Sequence, residues 1–416
     1  MLICIIGLGY VGLPLALAFS QKGFNVIGYD SSLKRINELK KLEDINGEFS
    51  KEELTCSKSI LFTNEDSDIN KANIYIITVP TPINKDKNPN LKPLLKASKT
   101  VGENLSKNDI IIYESTVYPG CTEEKCIPVL EFNSKMIFNK DFFCGYSPER
   151  INPGDKKRKL KDIIKVTSGS NHETAIKVDK LYNEIIEAGT HLAPSIKIAE
   201  ASKIIENVQR DVNISLMNEL AIIFNKMGID TKDVLKASST KWNFLNFKPG
   251  LVGGHCIGID PYYLAYKARQ LGYIPNVILS GRKVNNKMGK HISDTICDLI
   301  LKNNKNPENC NALILGVTFK ENCSDIRNSR VFDLHKCLLK SNVKVDLFDP
   351  YAINADVLKN YKVKLIKIIK IKYDVIILAV PHDIFLKMDI HSFKKYGGII
   401  YDVKSVLKKE IISARL

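Results

Sequence analysis

The chain has 416 residues and a mass of 46.8 kDa, too much for one compact core, so two or three domains are expected. With 44% apolar and 26% charged residues, it cannot be a disordered chain, a collagen-like fibre or a multi-span membrane protein. The 61 basic residues outnumber the 46 acidic ones, giving a net charge of +15. The lysines are scattered, the densest run (156–161) is short, and no zinc-finger, helix-turn-helix or RNA-recognition pattern accompanies them. The balance therefore predicts a solvated basic surface that suits polyphosphate small molecules, with no nucleic-acid partner.

The first stretch, Met1 to Gln21, carries no charge. It lacks a basic leader and is punctuated by Gly7, Gly9, Gly12 and Pro14, so it reads as strand and helix, not as a membrane span. Strands are predicted at 2–6, 25–29, 73–79, 109–114, 142–146 and 163–167. Helical stretches such as 13–22, 31–41 and 93–105 lie between them. Near-continuous apolar strands alternating with helices imply a parallel sheet covered on both faces.

From Ser195 up to Gly228 no other Gly and no Pro occurs, and apolar residues recur from Ile198 through Ile205, Val212 and Leu216 to Ile223 at helical spacing. This predicts one helix of about 30 residues, roughly 45 Å long. It is too long for one small core and suits a domain link or dimer interface. Further helices are expected at 261–271 and 287–302, then an Asn- and Lys-rich boundary at 302–311. Strands are predicted again at 312–317, 343–348, 375–380 and 398–403. Val79-Pro80-Thr81 and Val380-Pro381-His382 echo each other at strand ends. The fold class is α/β: two Rossmann-like, doubly wound parallel-sheet domains joined by a central helical domain with one long helix.

Ten cysteines show no Cys-x-x-Cys, and the Cys121/Cys126 spacing matches no common zinc site, so no metal is expected. Cys4, Cys144, Cys297 and Cys337 sit in apolar runs as small core residues. Free thiols of this kind fit a reducing, cytoplasmic setting.

Two stretches carry chemistry. The first is Gly7-Leu8-Gly9-Tyr10-Val11-Gly12, a G-x-G-x-x-G that follows a strand and opens a helix. Gly7 permits the turn, Gly9 lets a pyrophosphate approach the backbone, and Gly12 lets helix and strand pack closely. The next strand ends in Asp30, placed to accept from ribose hydroxyls and to repel a 2′-phosphate, which favours NAD over NADP. Arg35 is the counterweight, since it could reach a phosphate. The second stretch is Gly253-Gly254-His255-Cys256-Ile257-Gly258-Ile259-Asp260-Pro261. The glycines let ligand or backbone come close, and Asp260-Pro261 reads as cap and first turn of a helix. Cys256 lies just ahead of that helix, where a thiolate is favoured. Beside an NAD domain such a thiol can trap an aldehyde as a thiohemiacetal, which loses hydride to become a thioester. His255 reads as a structural or ligand-contact residue. On the long helix Lys203, Asn207 and Arg210 share one face. Arg210 could equally pair with Glu206, Asp260 could simply cap its helix, and Lys203 either snorkels or holds an anion.

These residues make the chain resemble the UDP-glucose/GDP-mannose dehydrogenase family, the nucleotide-sugar 6-dehydrogenases. The likeness runs through seven ordered motifs. They are the glycine fingerprint, Val79-Pro80-Thr81-Pro82, Glu114-Ser115-Thr116-Val117, Ser147-Pro148-Glu149-Arg150, Glu200-x-x-Lys203-x-x-x-Asn207, Gly253-Gly254-His255-Cys256, and Gly316-Val317-Thr318-Phe319-Lys320 with Arg327.

The resemblance implies that Val11, Asp30, Arg35, Thr81, Thr116 and Arg327 contact NAD, together with the loop residues Gly7, Gly9, Tyr10 and Gly12. It implies that Cys256 is the nucleophile, that Lys203, Asn207 and Asp260 surround the reacting oxygen, and that Glu149 assists thioester hydrolysis. Sugar-nucleotide contacts are implied for Glu149, Arg150, Lys203, Asn207, Leu245, Asn246, Phe247, Lys248, Pro249, Gly253 and Lys320. The implied domains are NAD-binding (1–194), central helical, for dimerisation and substrate (195–306), and UDP-binding (307–416), in a homodimer built on the long helix. Ile259 and Pro153 depart from the UDP-glucose enzymes, which commonly have Lys and Glu there. The stretches 147–154, 241–244 and 258–263 resemble the branch acting on UDP-N-acetylglucosamine or UDP-N-acetylgalactosamine for bacterial surface polysaccharide. The alternatives are oxidation of UDP-glucose or UDP-N-acetylmannosamine, and, more remotely, a single-hydride hydroxyacid or hydroxyacyl dehydrogenase.

Overall fold

The computed structural model describes residues 1–45, 47–55, 59–151, 159–254 and 256–416. His255, Pro153 and part of the basic run 156–161 fall outside the described residues. Two compact units emerge: residues 1–206 with 262–273, and residues 207–261 with 274–416.

The first unit is built on a six-stranded parallel sheet of β1 (Leu2–Ile6), β2 (Asn25–Tyr29), β3 (Ile60–Thr63), β4 (Ile74–Ile77), β5 (Ile110–Tyr113) and β6 (Phe143–Tyr146). Its order is β3-β2-β1-β4-β5-β6, the doubly wound arrangement, with the reversal between β1 and β4. Ile3 and Ile5 alternate onto one face and join Leu13, Phe19, Ile76 and Ile112 in a buried cluster. The stretch expected as a further strand of this sheet, 163–167, instead gives β7 (Lys165–Thr167). It pairs in a separate two-stranded ribbon with β8 (Thr190–Leu192). The uncharged N-terminus is β1 followed by a helix of ten residues, Gly12–Gln21. Among the described residues no helix is long and apolar enough to cross a membrane.

The second unit holds a five-stranded parallel sheet of β9 (Asn311–Leu315), β10 (Lys344–Phe348), β11 (Tyr373–Leu378), β12 (Lys394–Asp402) and β13 (Ala414–Arg415), in the order β10-β9-β11-β12-β13. Ala312 and Ile314 face one apolar cluster, while Leu313 and Leu315 face another, so both faces are covered.

The two sheets repeat one another in detail. Gly7 ends β1 with φ +97°, and Gly316 ends β9 with φ +88°. The Gly7 N–H donates to Tyr29 O at 2.8 Å, and the Gly316 N–H donates to Phe348 O at 2.9 Å. Side chains on Gly7 and Gly316 would press on Val79 and Val380, the residues of the strand-end echo. The echo in the sequence is thus a structural repeat.

The long helix runs from Ile196 to Met227, 32 residues or about 48 Å. Its first third belongs to the first unit and the rest to the second. In the first unit, buried Glu200 accepts from the Gly120 N–H (2.5 Å) and the Thr122 N–H (2.9 Å). Burial outweighs those donors and pushes its carboxyl up to about 7. In the second unit, Asp211 accepts from Arg282 at 2.6 Å and from Asn285 at 2.8 Å, both on the helix Asn276–Lys302. That helix begins eleven residues before the predicted start at 287, because Gly281 is no breaker here. A Cβ at Gly281 would lie 2.7 Å from Ser215 Oγ, so the glycine permits close helix packing.

Arg282 and Asp211 are both fully buried. Arg282→Ala should therefore cost about 3–5 kcal/mol by stranding the carboxylate, read as a lower midpoint in urea unfolding. The apolar pair Asp211→Leu with Arg282→Met should recover most of that loss.

Candidate active site

In each sheet the ends of the strands on either side of the order reversal, where open α/β sheets bind ligands, carry the residues singled out above. In the first unit, a Cβ on Gly12 would stand 1.9 Å from Gly7 O and 2.5 Å from Thr78 Oγ1, so only glycine fits. A Cβ on Gly9 would meet nothing within 4 Å, which leaves the backbone there open to a pyrophosphate. Asp30 Oδ2 accepts from the Leu8 N–H at 2.9 Å, and Oδ1 accepts from the Ser32 N–H at 2.9 Å. The Arg35 Nε–H donates to Leu8 O at 2.9 Å, and its Nη1 lies 2.8 Å from Asp44. Arg35 therefore braces the glycine loop with its charge already paired, so it is a poor partner for a 2′-phosphate. The Thr81 hydroxyl donates to Thr116 O at 2.6 Å, and the Tyr263 hydroxyl donates to Thr81 O at 2.6 Å. These contacts join the loops after β4 and β5 at the same edge. The donors, the open backbone and the carboxylate fit NAD.

A second group of the first unit lies beyond β5 and β6. Glu149 is buried, with Oε1 accepting from the Arg150 N–H (2.6 Å) and the Ile151 N–H, and with Oε2 3.9 Å from Lys165 Nζ. Arg150 is held by Glu206 at 2.7 Å and by Ile164 O at 3.0 Å. Glu206 is thus occupied by Arg150, not by Arg210 as its helical spacing would have allowed. Lys203, one turn earlier on the long helix, is buried.

In the second unit, Asn207 Nδ2 donates to buried Asp260 Oδ2 at 2.5 Å. The helix Asp260–Gln270 starts at Asp260 itself, and the carboxylate turns to Asn207. The Cys256 carbonyl accepts from the Ile259 and Asp260 N–H groups, both at 2.9 Å, which closes the cysteine turn onto that helix. The Cys256 side chain is half-buried. The paired glycines admit protein backbone and a ring: a Cβ on Gly253 would lie 2.7 Å from Asn328 O, and one on Gly254 would lie 2.9 Å from Phe319.

A narrow, open cleft is lined by Gly253, Phe319, Lys320, Arg330, Val380 and Lys404 among others. Of the loop 245–249, Pro249 is buried, Leu245, Asn246 and Lys248 are exposed, and Phe247 is intermediate. Arg327 is gripped by Asp325 at 2.6 Å. Asp349 repeats the part of Asp30: Oδ2 accepts from the Val317 N–H at 2.6 Å, and Oδ1 accepts from the Tyr351 N–H at 2.8 Å. Buried His382 completes it, with Nε2 3.1 Å from Asp349 Oδ2 and Nδ1 accepting from the Asn322 N–H at 2.8 Å. Burial alone would raise the Asp349 carboxyl, but His382 and the amides outweigh it and hold it below the usual range.

Sequence reasoning did not single out Lys404, Arg330, Asp349 or His382 as site residues. Their signal was position, since Asp349, His382 and Lys404 follow the ends of strands, as Asp30 and Thr81 do. Lys165 was also missed, although a lysine inside an otherwise apolar strand marks itself.

A doubly wound NAD cradle, a thiol turn and a second sheet with a cationic cleft define an NAD-dependent dehydrogenase of nucleotide sugars. The comparisons agree. Domain models of the UDP-glucose/GDP-mannose dehydrogenase family match residues 1–186 (NAD binding domain), 197–287 (central domain) and 313–409 (UDP binding domain). The UDP-N-acetyl-D-glucosamine 6-dehydrogenase of Salmonella typhi is 54% identical over 418 residues, covering 100% of this chain and 98% of that one. The enzyme of the same name from Pseudomonas aeruginosa is 51% identical over 418 residues, covering 100% and 99%. Among solved structures, the UDP-D-ManNAc dehydrogenase of Pyrococcus horikoshii superposes with a TM-score of 0.87 at 28% identity, covering 100% and 98%. The chain belongs to the UDP-glucose/GDP-mannose dehydrogenase family.

The two glycines give opposite expectations. Gly12→Ala should prevent a stable fold, seen as insoluble protein or loss of the thermal transition. Gly9→Ala should fold with a near-normal melting temperature yet bind NAD at least about tenfold more weakly, as measured by titration calorimetry.

Proposed function

We propose that this enzyme oxidises C6 of a UDP-N-acetylhexosamine, UDP-N-acetylglucosamine or its C4 epimer UDP-N-acetylgalactosamine, to the uronate in two NAD-dependent steps. The observation that carries the reading is the 54% identity along the whole chain to a UDP-N-acetyl-D-glucosamine 6-dehydrogenase, with every expected reacting residue present. The alternatives, UDP-glucose and UDP-N-acetylmannosamine, have weaker support, the UDP-N-acetyl-D-mannosamine dehydrogenases of Methanococcus vannielii and Pyrococcus horikoshii being 31% and 30% identical.

NAD, when bound, supplies the hydride acceptor for both oxidations. The chain's own residues do the rest. Asp260 and Lys203 hold the water that takes the proton from the C6 hydroxyl. Cys256 Sγ adds to the resulting aldehyde, forming a C–S bond. Loss of the second hydride and a proton leaves a thioester. Lys203 and Asn207 stabilise the oxyanion in both stages, an effect worth about 3–4 kcal/mol for a well-placed donor. Water then breaks the C–S bond with Glu149 as base, which releases the carboxylate and restores the thiol. Covalent capture explains why a reactive aldehyde need not escape.

The reading places NAD contacts at Gly7, Gly9, Tyr10, Val11, Gly12, Asp30, Arg35, Thr81, Thr116 and Arg327. It places sugar-nucleotide contacts at Arg150, 245–249, Gly253 and Lys320, with the domains divided as 1–194, 195–306 and 307–416. Ile198, Ile205, Leu216, Ile223 and Met227 are exposed along the long helix, which supports a homodimer there. The nine cysteines among the described residues are all free, which supports a reducing cytoplasm, and the product suits surface polysaccharide synthesis.

Two NADH should form per sugar, and UDP-N-acetylglucosamine or its epimer should give the highest kcat/KM in a panel with UDP-glucose and UDP-N-acetylmannosamine. Cys256→Ser should abolish uronate release, and wild-type turnover by that variant would end the assignment. Lys203→Ala should lower kcat about 10²–10³-fold, where an effect on KM alone would indicate simple binding.

A further inference from the structure

Behind Glu149 lies a set of buried charges that the reaction as described leaves unused. Lys165 on β7 is 2% exposed at its side chain, and Glu114 at the end of β5 is fully enclosed. Lys165 Nζ donates to Glu114 Oε2 at 2.6 Å and to Pro148 O at 3.1 Å. Glu149 Oε2 lies 3.9 Å from the same nitrogen. The Tyr182 hydroxyl, from the helix His172–Asn183, donates to Glu114 Oε1. Glu149 Oε2 is itself buried and has no hydrogen-bond partner among the described residues. Two carboxylates thus share one ammonium in a region shielded from water, where charges act strongly on each other.

We propose that Lys165 and Glu114 are positioning residues that set the basicity of Glu149 for thioester hydrolysis. This rests on the reading of Glu149 as the base for that step. The Lys165 ammonium attracts the Glu149 carboxylate, while Glu114, bonded to the same ammonium, takes up part of that pull. Oε1 is held by the two backbone amides, which leaves Oε2 as the oxygen turned toward Lys165. The divided strength is reflected in Glu114, where burial, opposed by Lys165 and reinforced by Glu149, pushes the carboxyl up to about 7. The other charged or titratable groups around Glu149 and its partners are Arg150 beside it, Tyr182 on its helix, and Glu206 with buried Lys203 on the long helix. Arg150 and Glu206 neutralise each other at 2.7 Å. Lys165 is the cation set 3.9 Å from Glu149 Oε2, with Glu114 bonded to it.

Opposite substitutions must then move the reaction in opposite directions. The measurement is kcat against pH with NAD and the UDP-N-acetylhexosamine, alongside mass spectrometry of the quenched enzyme to follow sugar bound at Cys256. Glu114→Gln keeps the shape and gives Lys165 wholly to Glu149. The acid limb of kcat should move down by about one pH unit, the plateau should fall, and thioester should accumulate, with KM little changed. Lys165→Met should move the limb up by at least as much, and Lys165→Arg should restore it. Limbs that stay in place in Glu114→Gln, while Glu149→Gln accumulates thioester, overturn the positioning role and leave Glu149 as the base. Hydrolysis at the normal rate in Glu149→Gln overturns the underlying reading itself. Should Lys165→Met fail to fold, the isosteric Glu114→Gln decides alone.

Discussion

Both ligand sites hang on one kind of hydrogen bond, from the backbone amide just past the first strand's terminal glycine to a carboxylate ending the neighbouring strand. In the first unit Leu8 donates to Asp30, and in the second Val317 donates to Asp349. The glycine must take a positive φ to aim that amide, and the carboxylate must be ionised to receive it well. Around this bond the two sheets diverge. Asp30 shares its other oxygen with one amide, whereas Asp349 is saturated by amides and His382. The first carboxylate has capacity left for a ribose, while the second is a fixed post that holds the 317–322 loop and with it Lys320.

The same physics explains where the chemistry sits. A parallel sheet directs its loops to one edge, and the strand order reverses between β1 and β4 and between β9 and β11. The glycine fingerprint occupies the first reversal and the cationic cleft the second. The residues proposed to react come from elsewhere, namely the long helix and the turn leading into the helix Asp260–Gln270. Asn207 and Asp260 meet although 53 residues separate them, because one lies on each of those helices.

Much of this was legible in the sequence for physical reasons. β1 and β2 have the predicted bounds because continuous apolar runs admit little else. The long helix is right to within a residue because 30 positions of unbroken periodicity outweigh any local preference. What escaped was decided by tertiary contact. β3 and β8 are too short to show a period, and β13 has two residues. The start of the helix Asn276–Lys302 was hidden by Gly281, whose lack of a side chain serves a neighbouring helix. Arg35 and Glu206 were open to several partners, and only three-dimensional packing selects Leu8 O and Asp44 for one and Arg150 for the other. The Lys165–Glu114 pair joins residues 51 positions apart, a separation that no local pattern records.

The helix Ile196–Met227 keeps Lys203, Asn207 and Arg210 on one side only because nothing interrupts its winding. Each residue added turns everything after it by about 100°. A single codon inserted between 203 and 207 would therefore carry the asparagine a quarter-turn or more away from the lysine, with no change in composition. A seven-codon insertion would bring it back to within about 20°. Length variation among descendants of this gene should accordingly gather in the surface loops, while this rod keeps its count.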